Sequence, residues 1–289
     1  MAEAAAARES GWRRALANRR VVAGAAVLLL MLAAAVLAPL LAPFDPLDQD
    51  LVNSFLPPAW AASGDPQHLF GTDNLGRDIL ARLIYGSRTA LIVAIAAALG
   101  AGVLGTALGL LAGFYGRWVD LAVSRMVDVW MAFPAVLLSI VLVAVIGAGL
   151  QAVIIAIVIV DWTRFCRVVR GEVLVQRARD YVTAATTMGL GRGAILGREI
   201  LPNLLPLLVG LLGLEMGIAV IVEAILSFVG LSIASDAPSW GGLIAEGREN
   251  VYQAWWIMAF PMGCIILVVL GFNALSDGLR ERFDPLLRR

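Results

Sequence analysis

The sequence contains no lysine, one histidine and two cysteines, and its formal net charge is zero. All 22 basic residues are arginine. Without lysine the chain can supply neither the lysine of a phosphate-binding P-loop nor a Schiff base. A single histidine, His68, excludes a multi-histidine metal site, so no metal is expected. His68 itself reads as a solvated loop residue. Cys166 and Cys264 lie in or beside apolar runs of different segments and read as small buried hydrophobes, not a redox pair. Zero net charge provides no global basic field for nucleic acid. Charged residues are also few, 15% against 60% hydrophobic. Ordinary soluble domains are roughly 45–50% apolar, without repeated apolar runs of about 20 residues. The composition is that of an all-α, polytopic integral membrane protein.

Residues 1–20 form a basic flank carrying Arg8, Arg13, Arg14, Arg19 and Arg20. The apolar run that follows, 21–43, is too long for a signal-peptide core of about 7–15 residues and predicts a first span. Pro39, Pro43 and Pro46 stop it. Residues 44–88 are too polar to cross a bilayer. Within them Asp73 is a plausible helix cap, and Leu75, Ile79, Leu80, Leu83 and Ile84 share one helical face. Arg77, Asp78 and Arg82 share the other, with Gly86 to close the helix. That pattern predicts a short amphipathic helix in the membrane interface.

The remaining core, 89–279, predicts five further spans. The second covers about 89–114, and its Ala101, Gly105, Gly109 and Gly113 form a small-residue stripe. Packing within this chain is the plainer reading of that stripe; a partner-subunit interface is the other. A polar turn at 116–125 precedes a third span, about 128–146, kinked by Pro134. The fourth begins at 152–160 and continues into water, since Asp161, Arg164, Arg167 and Arg170 follow at helical spacings. The fifth and sixth cover about 204–231 and 255–275, joined by a polar, turn-rich segment, 232–250. A tail, 280–289, ends the chain.

Between the fourth and fifth spans, 180–202 reads as two short helices broken at a glycine. Asp180 is a candidate cap for the first. Val182, Ala185 and Met188 are its apolar stripe, and Gly189 supplies the left-handed residue that ends helices. Six spans put both termini on one side. With that side cytoplasmic, 18 arginines lie in the cytoplasmic segments against four (Arg77, Arg82, Arg88, Arg248) outside. The positive-inside rule therefore places the termini and the hairpin in the cytoplasm.

Glu215 falls near the middle of the fifth span, where an ionisable group is by default a functional-site hypothesis. A structural glutamate hydrogen-bonded to a neighbouring helix is the alternative. Glu223, two turns on, and Ser227 lie near the outer mouth, and the two carboxylates could meet the amino terminus of a solute on the translocation path.

The hairpin resembles the signature loop of bacterial ABC importer permeases: Glu-Ala-Ala, a glycine four residues later, then Ile-Leu-Pro. The matching residues are Thr183-Ala184-Ala185, Gly189 and Ile200-Leu201-Pro202, with Thr183 in place of the usual glutamate. The stretch Phe70–Leu91 is similar to the FGTDxLGRDxxxRxxYGxRxxL segment of the C-type subunit of dipeptide, oligopeptide and nickel importers. Asp73, Gly76, Arg77 and Asp78 belong to that match. LLAPFDP at 40–46, EAILSFVG at 223–230, the Pro-Ser-Trp-Gly around Trp240 and Ala-Glu-Gly-Arg at 245–248 agree as well.

The resemblance implies the type I importer permease fold with six transmembrane helices in the bacterial plasma membrane. It implies that Asp180, Thr183, Ala184, Ala185, Met188, Gly189, Leu190 and Arg192 dock a cytoplasmic ATPase. It implies a homologous second permease subunit and an extracytoplasmic solute-binding protein as partners, in contact with membrane lipid. ATP and Mg would be bound by the ATPase subunits, with no cofactor and no catalysis in this chain. Dipeptides or short oligopeptides are the expected cargo, with nickel chelates as the alternative. A secondary transporter would need internal repeats, and a membrane enzyme a nucleophile–base or metal constellation; neither is found.

Overall fold

A computed structural model describes residues 19–231 and 237–283. The arginines at 8, 13 and 14, the final residues of the 280–289 tail and part of the 232–250 segment lie outside them. Among the described residues the regular secondary structure is helical, apart from one isolated bridge between Thr72 and Asp78.

Helix α1 (Arg19–Val36) is followed by the single turn α2 (Ala38–Leu41), which carries Pro39 in its first turn. Proline is tolerated there because the first N–H groups of a helix have no partner anyway. The chain then loops through residues 42–78 and enters α3 (Ile79–Tyr115). At about 1.5 Å per residue α3 is about 55 Å long, well beyond a hydrocarbon core of about 30 Å.

The separate interfacial helix expected at 70–91 does not exist. Asp78, not Asp73, caps α3 by accepting from the Ala81 N–H at 2.7 Å. Gly86 lies inside α3, where an added Cβ would sit 2.7 Å from the Trp240 ring, so it admits that ring and ends nothing.

The small-residue stripe packs within the chain. It faces α6 (Leu150–Arg177), and a Cβ on Gly105 would lie 2.3 Å from the Trp162 carbonyl oxygen. Gly109 and Gly113 would meet the Cys166 carbonyl oxygen and the Val173 Cβ at 2.8 and 2.7 Å. Side chains here would push the two backbones apart. Helix α6 is continuous through its charged second half, as the spacing predicts.

Between α3 and α6 the expected turn and kinked span are replaced by two helices, α4 (Arg117–Met131) and α5 (Ala135–Ile146), bent by 89°. The polar turn expected at 116–125 contracts to Gly116 and Arg117, at φ of +64° and +48°. Pro134 starts α5 with extended backbone and so separates two helices, where a kink in one was expected.

The hairpin follows as α7 (Asp180–Thr187) and α8 (Arg192–Ala194). A π-helical turn at Ile195–Ile200 carries the chain without interruption into α9 (Leu201–Phe228). Pro202 lacks the N–H that would bond one turn back, and the wider π turn just before it accommodates the loss. Helix α10 (Trp240–Glu249) lies within the segment expected to be turn-rich, and α11 (Trp256–Phe283) completes the described chain. Three helices are long and apolar enough to cross a bilayer singly, over Ile79–Tyr115, Arg192–Phe228 and Trp256–Arg280; α4 and α5 pass only as a bent pair.

Candidate functional site

The hairpin is a rigid knob with an apolar outer ridge. Its base is a small core: Val182, Ala185, Ile195, Ile200 and Leu204 are buried against Val169 and Val173 of α6. The expected cap changes place, since Arg179 occupies the cap position and Asp180 lies in the first turn of α7 without a capping bond. The far end follows the expectation. Gly189 has a φ of +81°, the Leu190 N–H bonds the Ala185 carbonyl at 3.1 Å and the Gly189 N–H bonds that of Thr186 at 3.0 Å. This pair of bonds is the Schellman closure of a helix.

Along α7 the Thr186 and Thr187 hydroxyls donate to carbonyls one turn back, at 2.8 and 2.9 Å. Thr183 is directed the same way at 3.5 Å. Their oxygens are thereby used internally, and the outward surface consists of threonine methyls, Ala184 and Met188, the last 73% exposed. Gly191, Arg192 and Gly193 continue this surface.

Two contacts tie the knob to the bundle, and a third, from Arg177, fixes the end of α6 beside it. Arg177 donates to the Phe114 carbonyl at 2.9 Å, and the Arg192 guanidinium lies 6.0 Å from the Tyr115 ring centroid, both at the end of α3. Tyr181 donates to Gln176 at 2.7 Å. Burial pushes the Tyr181 phenol above its ordinary pKa, so it stays a neutral donor. The hairpin is thereby in contact with α3, α6 and α9 together.

At the other end of α3, the residues of the 70–91 motif come together. Asp73 accepts from Arg77 Nε at 2.7 Å and from Arg82, and both arginines donate to Glu246 of α10 at 2.6–3.2 Å. Asp78 also contacts His68 Nδ1 at 2.9 Å, and the His68 ring stacks on Phe44. Gly76, with φ of +73°, closes the turn against Asp50, and Trp240 donates to the Leu83 carbonyl at 3.0 Å.

Two expectations are corrected here. Arg77, Asp78 and Arg82 do not form a solvated face; they are 8%, 2% and 5% exposed. His68 is likewise buried. Burial is tolerated because two carboxylates balance two guanidiniums with direct hydrogen bonds.

Inside the bundle Glu215 and Glu223 are both buried, and they face different partners. Glu215 lies 3.6 Å from Arg164 of α6, which also pairs with Asp161 at 3.3 Å. Glu223 accepts from Ser227 at 2.6 Å, and Ser227 accepts from Ser239, the cap of α10, at 3.2 Å.

Residues 105–289 match the family model described as "binding-protein-dependent transport system inner membrane component". The chain belongs to this family. Residues 8–58 match a second model, the N-terminal transmembrane domain of oligopeptide transport permease C. The dipeptide transport system permease protein DppC of Alkalihalophilus pseudofirmus is 40% identical over 88% of this chain and 82% of its own length. The glutathione transport system permease protein GsiD of Pectobacterium atrosepticum is 39% identical over 96% and 90%. Among solved structures, an inward-facing form of the MetNI methionine ABC transporter has a chain of the same fold, with a TM-score of 0.60. It is 20% identical and covers 71% of this chain and 98% of that one.

The transport-component match contains the hairpin, Arg164, Glu215 and Glu246, whereas Asp73, Arg77 and Arg82 precede it. The outer charge clamp thus fastens the matched core to the preceding half of α3. Arg164 was legible as a helical neighbour of Asp161; its pairing with Glu215 was not, because the two are on different helices.

Proposed function

We propose that the chain is the permease subunit of an ATP-driven, binding-protein-dependent importer of dipeptides or short oligopeptides. The observation that carries this is the hairpin: an apolar knob, fixed to three long helices, with no function inside this chain. Its shape suits insertion into a groove of a cytoplasmic ATPase, on Thr183, Ala184, Met188, Leu190 and Arg192, with Ala185 and Gly189 shaping it. The names of the relatives support a peptide cargo.

In this reading the chain crosses the membrane six times, with both termini and the hairpin cytoplasmic. Helix α1, the α4–α5 pair and α6 supply the spans beyond the three long apolar helices. A homologous second subunit completes the path. ATP and Mg are bound by the ATPase subunits, whose closure favours one of two states of the path, and a solute-binding protein delivers the peptide outside. The hairpin biases that equilibrium only because ATP binding differs between the two states.

Co-purification tests the assembly: the tagged chain should bring down an ATPase and a second permease, and recovery of neither would reject it. We also propose that Glu215, Glu223 and Ser227 serve the translocation path from just behind its wall, where all three are buried. Glu215→Gln should lower peptide uptake by about tenfold, corresponding to about 1.4 kcal/mol, in a complex that assembles normally. Unchanged uptake would remove Glu215 from the path.

A further inference from the structure

Two arginine–carboxylate clusters containing a buried carboxylate occur among the described residues, and they are built differently. In the outer clamp the Arg82 side chain is 6% exposed and hydrogen-bonded to both carboxylates. Both carboxylates of that cluster are taken up by the two arginines, and only Arg82 Nε is left without a hydrogen-bond partner. Around Arg164 the carboxylates of Asp161 and Glu215 are buried, but 36% of the arginine side chain is open. Its contacts are looser, and the one to Glu215 is beyond hydrogen-bond length. Most of the guanidinium N–H donors are therefore unused. Glu215 Oε1 is buried and has no hydrogen-bond partner.

Arg164 lies near the middle of α6, about 20 Å from either end at 1.5 Å per residue. On a helix that crosses the bilayer, as α6 does in the proposed topology, an arginine so placed faces a partner or a water-filled cavity, because exposure to hydrocarbon is costly. Neighbouring groups favour water. One turn on, Arg167 and Asp128 pair at 3.9 Å with side chains 56% and 58% exposed. Arg170 and Asp120 continue the polar track towards the hairpin. The non-helical break between α4 and α5 comes just after Trp130, which donates to the Ile159 carbonyl. Broken backbone at membrane depth is tolerated where it is buried in protein or lines an aqueous cavity.

We infer that Arg164 is a solute-binding residue of the path and takes the C-terminal carboxylate of the transported peptide on its open N–H edge. Asp161 and Glu215 are positioning residues that hold the guanidinium from behind. A planar guanidinium pairs with a carboxylate through parallel N–H bonds. This inference rests on the peptide-importer reading.

The test uses the whole importer with its binding protein in proteoliposomes. Uptake of one dipeptide is compared with that of its C-terminal amide, for the unmodified complex and for Arg164→Gln. The preference for the free acid should fall by at least about tenfold in Arg164→Gln, and Arg164→Lys, which keeps the charge, should restore part of it. If Arg164→Gln does not assemble, Arg164→Lys is read against the unmodified complex and should itself show a reduced preference. An unchanged preference, including equal loss of both solutes, overturns the inference alone. An unmodified complex that takes up neither solute overturns the importer reading and this inference with it.

Discussion

Replacing Ala184 with aspartate is expected to reduce ATP-driven uptake by at least about a hundredfold, or about 2.7 kcal/mol, while the complex keeps its fold. Ala184 is exposed on the outer ridge of α7, and its side chain has no role in the hairpin core. Exposed substitutions away from special features change stability by about 0.5 kcal/mol or less, so the unfolding temperature should hardly move. At a docked interface the same change buries an unpaired charge against a groove shaped for methyl groups, which costs several kcal/mol. The neighbouring position is the control. Ala185 is 3% exposed and packs against Val169 and Val173, so Ala185→Asp should lower the unfolding temperature as well as uptake. The measurement is uptake and ATPase stimulation by loaded binding protein, alongside thermal unfolding. Full uptake by Ala184→Asp would mean that the ridge does not dock.

The second large effect is expected at the outer clamp. Asp73→Ala should destabilise the folded chain by about 3–5 kcal/mol, the usual result of removing one partner from a buried ion pair. Asp73 is fully buried and accepts from both Arg77 and Arg82, whose side chains are 10% and 6% exposed. After the substitution Glu246 alone must answer two buried guanidiniums. Glu246→Gln should cost less, since its side chain is 30% exposed and Asp73 remains to hold both arginines. Thermal unfolding of the purified complex, with the three proteins compared in one lipid and one buffer, checks the order. An Asp73→Ala protein as stable as the original would show that the clamp is not holding α3 to α10.

Much of the hairpin was legible from local sequence. Gly189 ends α7 because a left-handed residue is needed there, and glycine reaches that conformation without strain. Val182 and Ala185 face the core because helical spacing puts them on one side, whereas Met188, expected on the same stripe, lies just past the last helical residue and is 73% exposed. The glycine stripe on α3 was visible too, although which helix it met was not. The errors share one origin. Periodicity shows that two faces of a helix differ in polarity, but it does not show what each face meets. Around residues 77–82 the polar face meets Glu246, 164 residues after Arg82, and so it is buried where water was expected. The position of Asp180 relative to the cap was a shift of one residue, within the reach of any reading of helix ends.

By itself, the amino-acid sequence determined the membrane class, the long apolar helices, the hairpin and its glycine turn, and the chemistry that lysine-free composition excludes. These depend on residues close together in the chain. Only the tertiary structure decided that α3 runs unbroken through Gly86, that α4 and α5 meet at 89°, and that Asp73, Arg77, Arg82 and Glu246 form one buried unit. It also decided that Glu215 stands behind Arg164. Each of these depends on a partner distant in sequence, and a buried charge declares its partner only when the helices carrying the two are packed together.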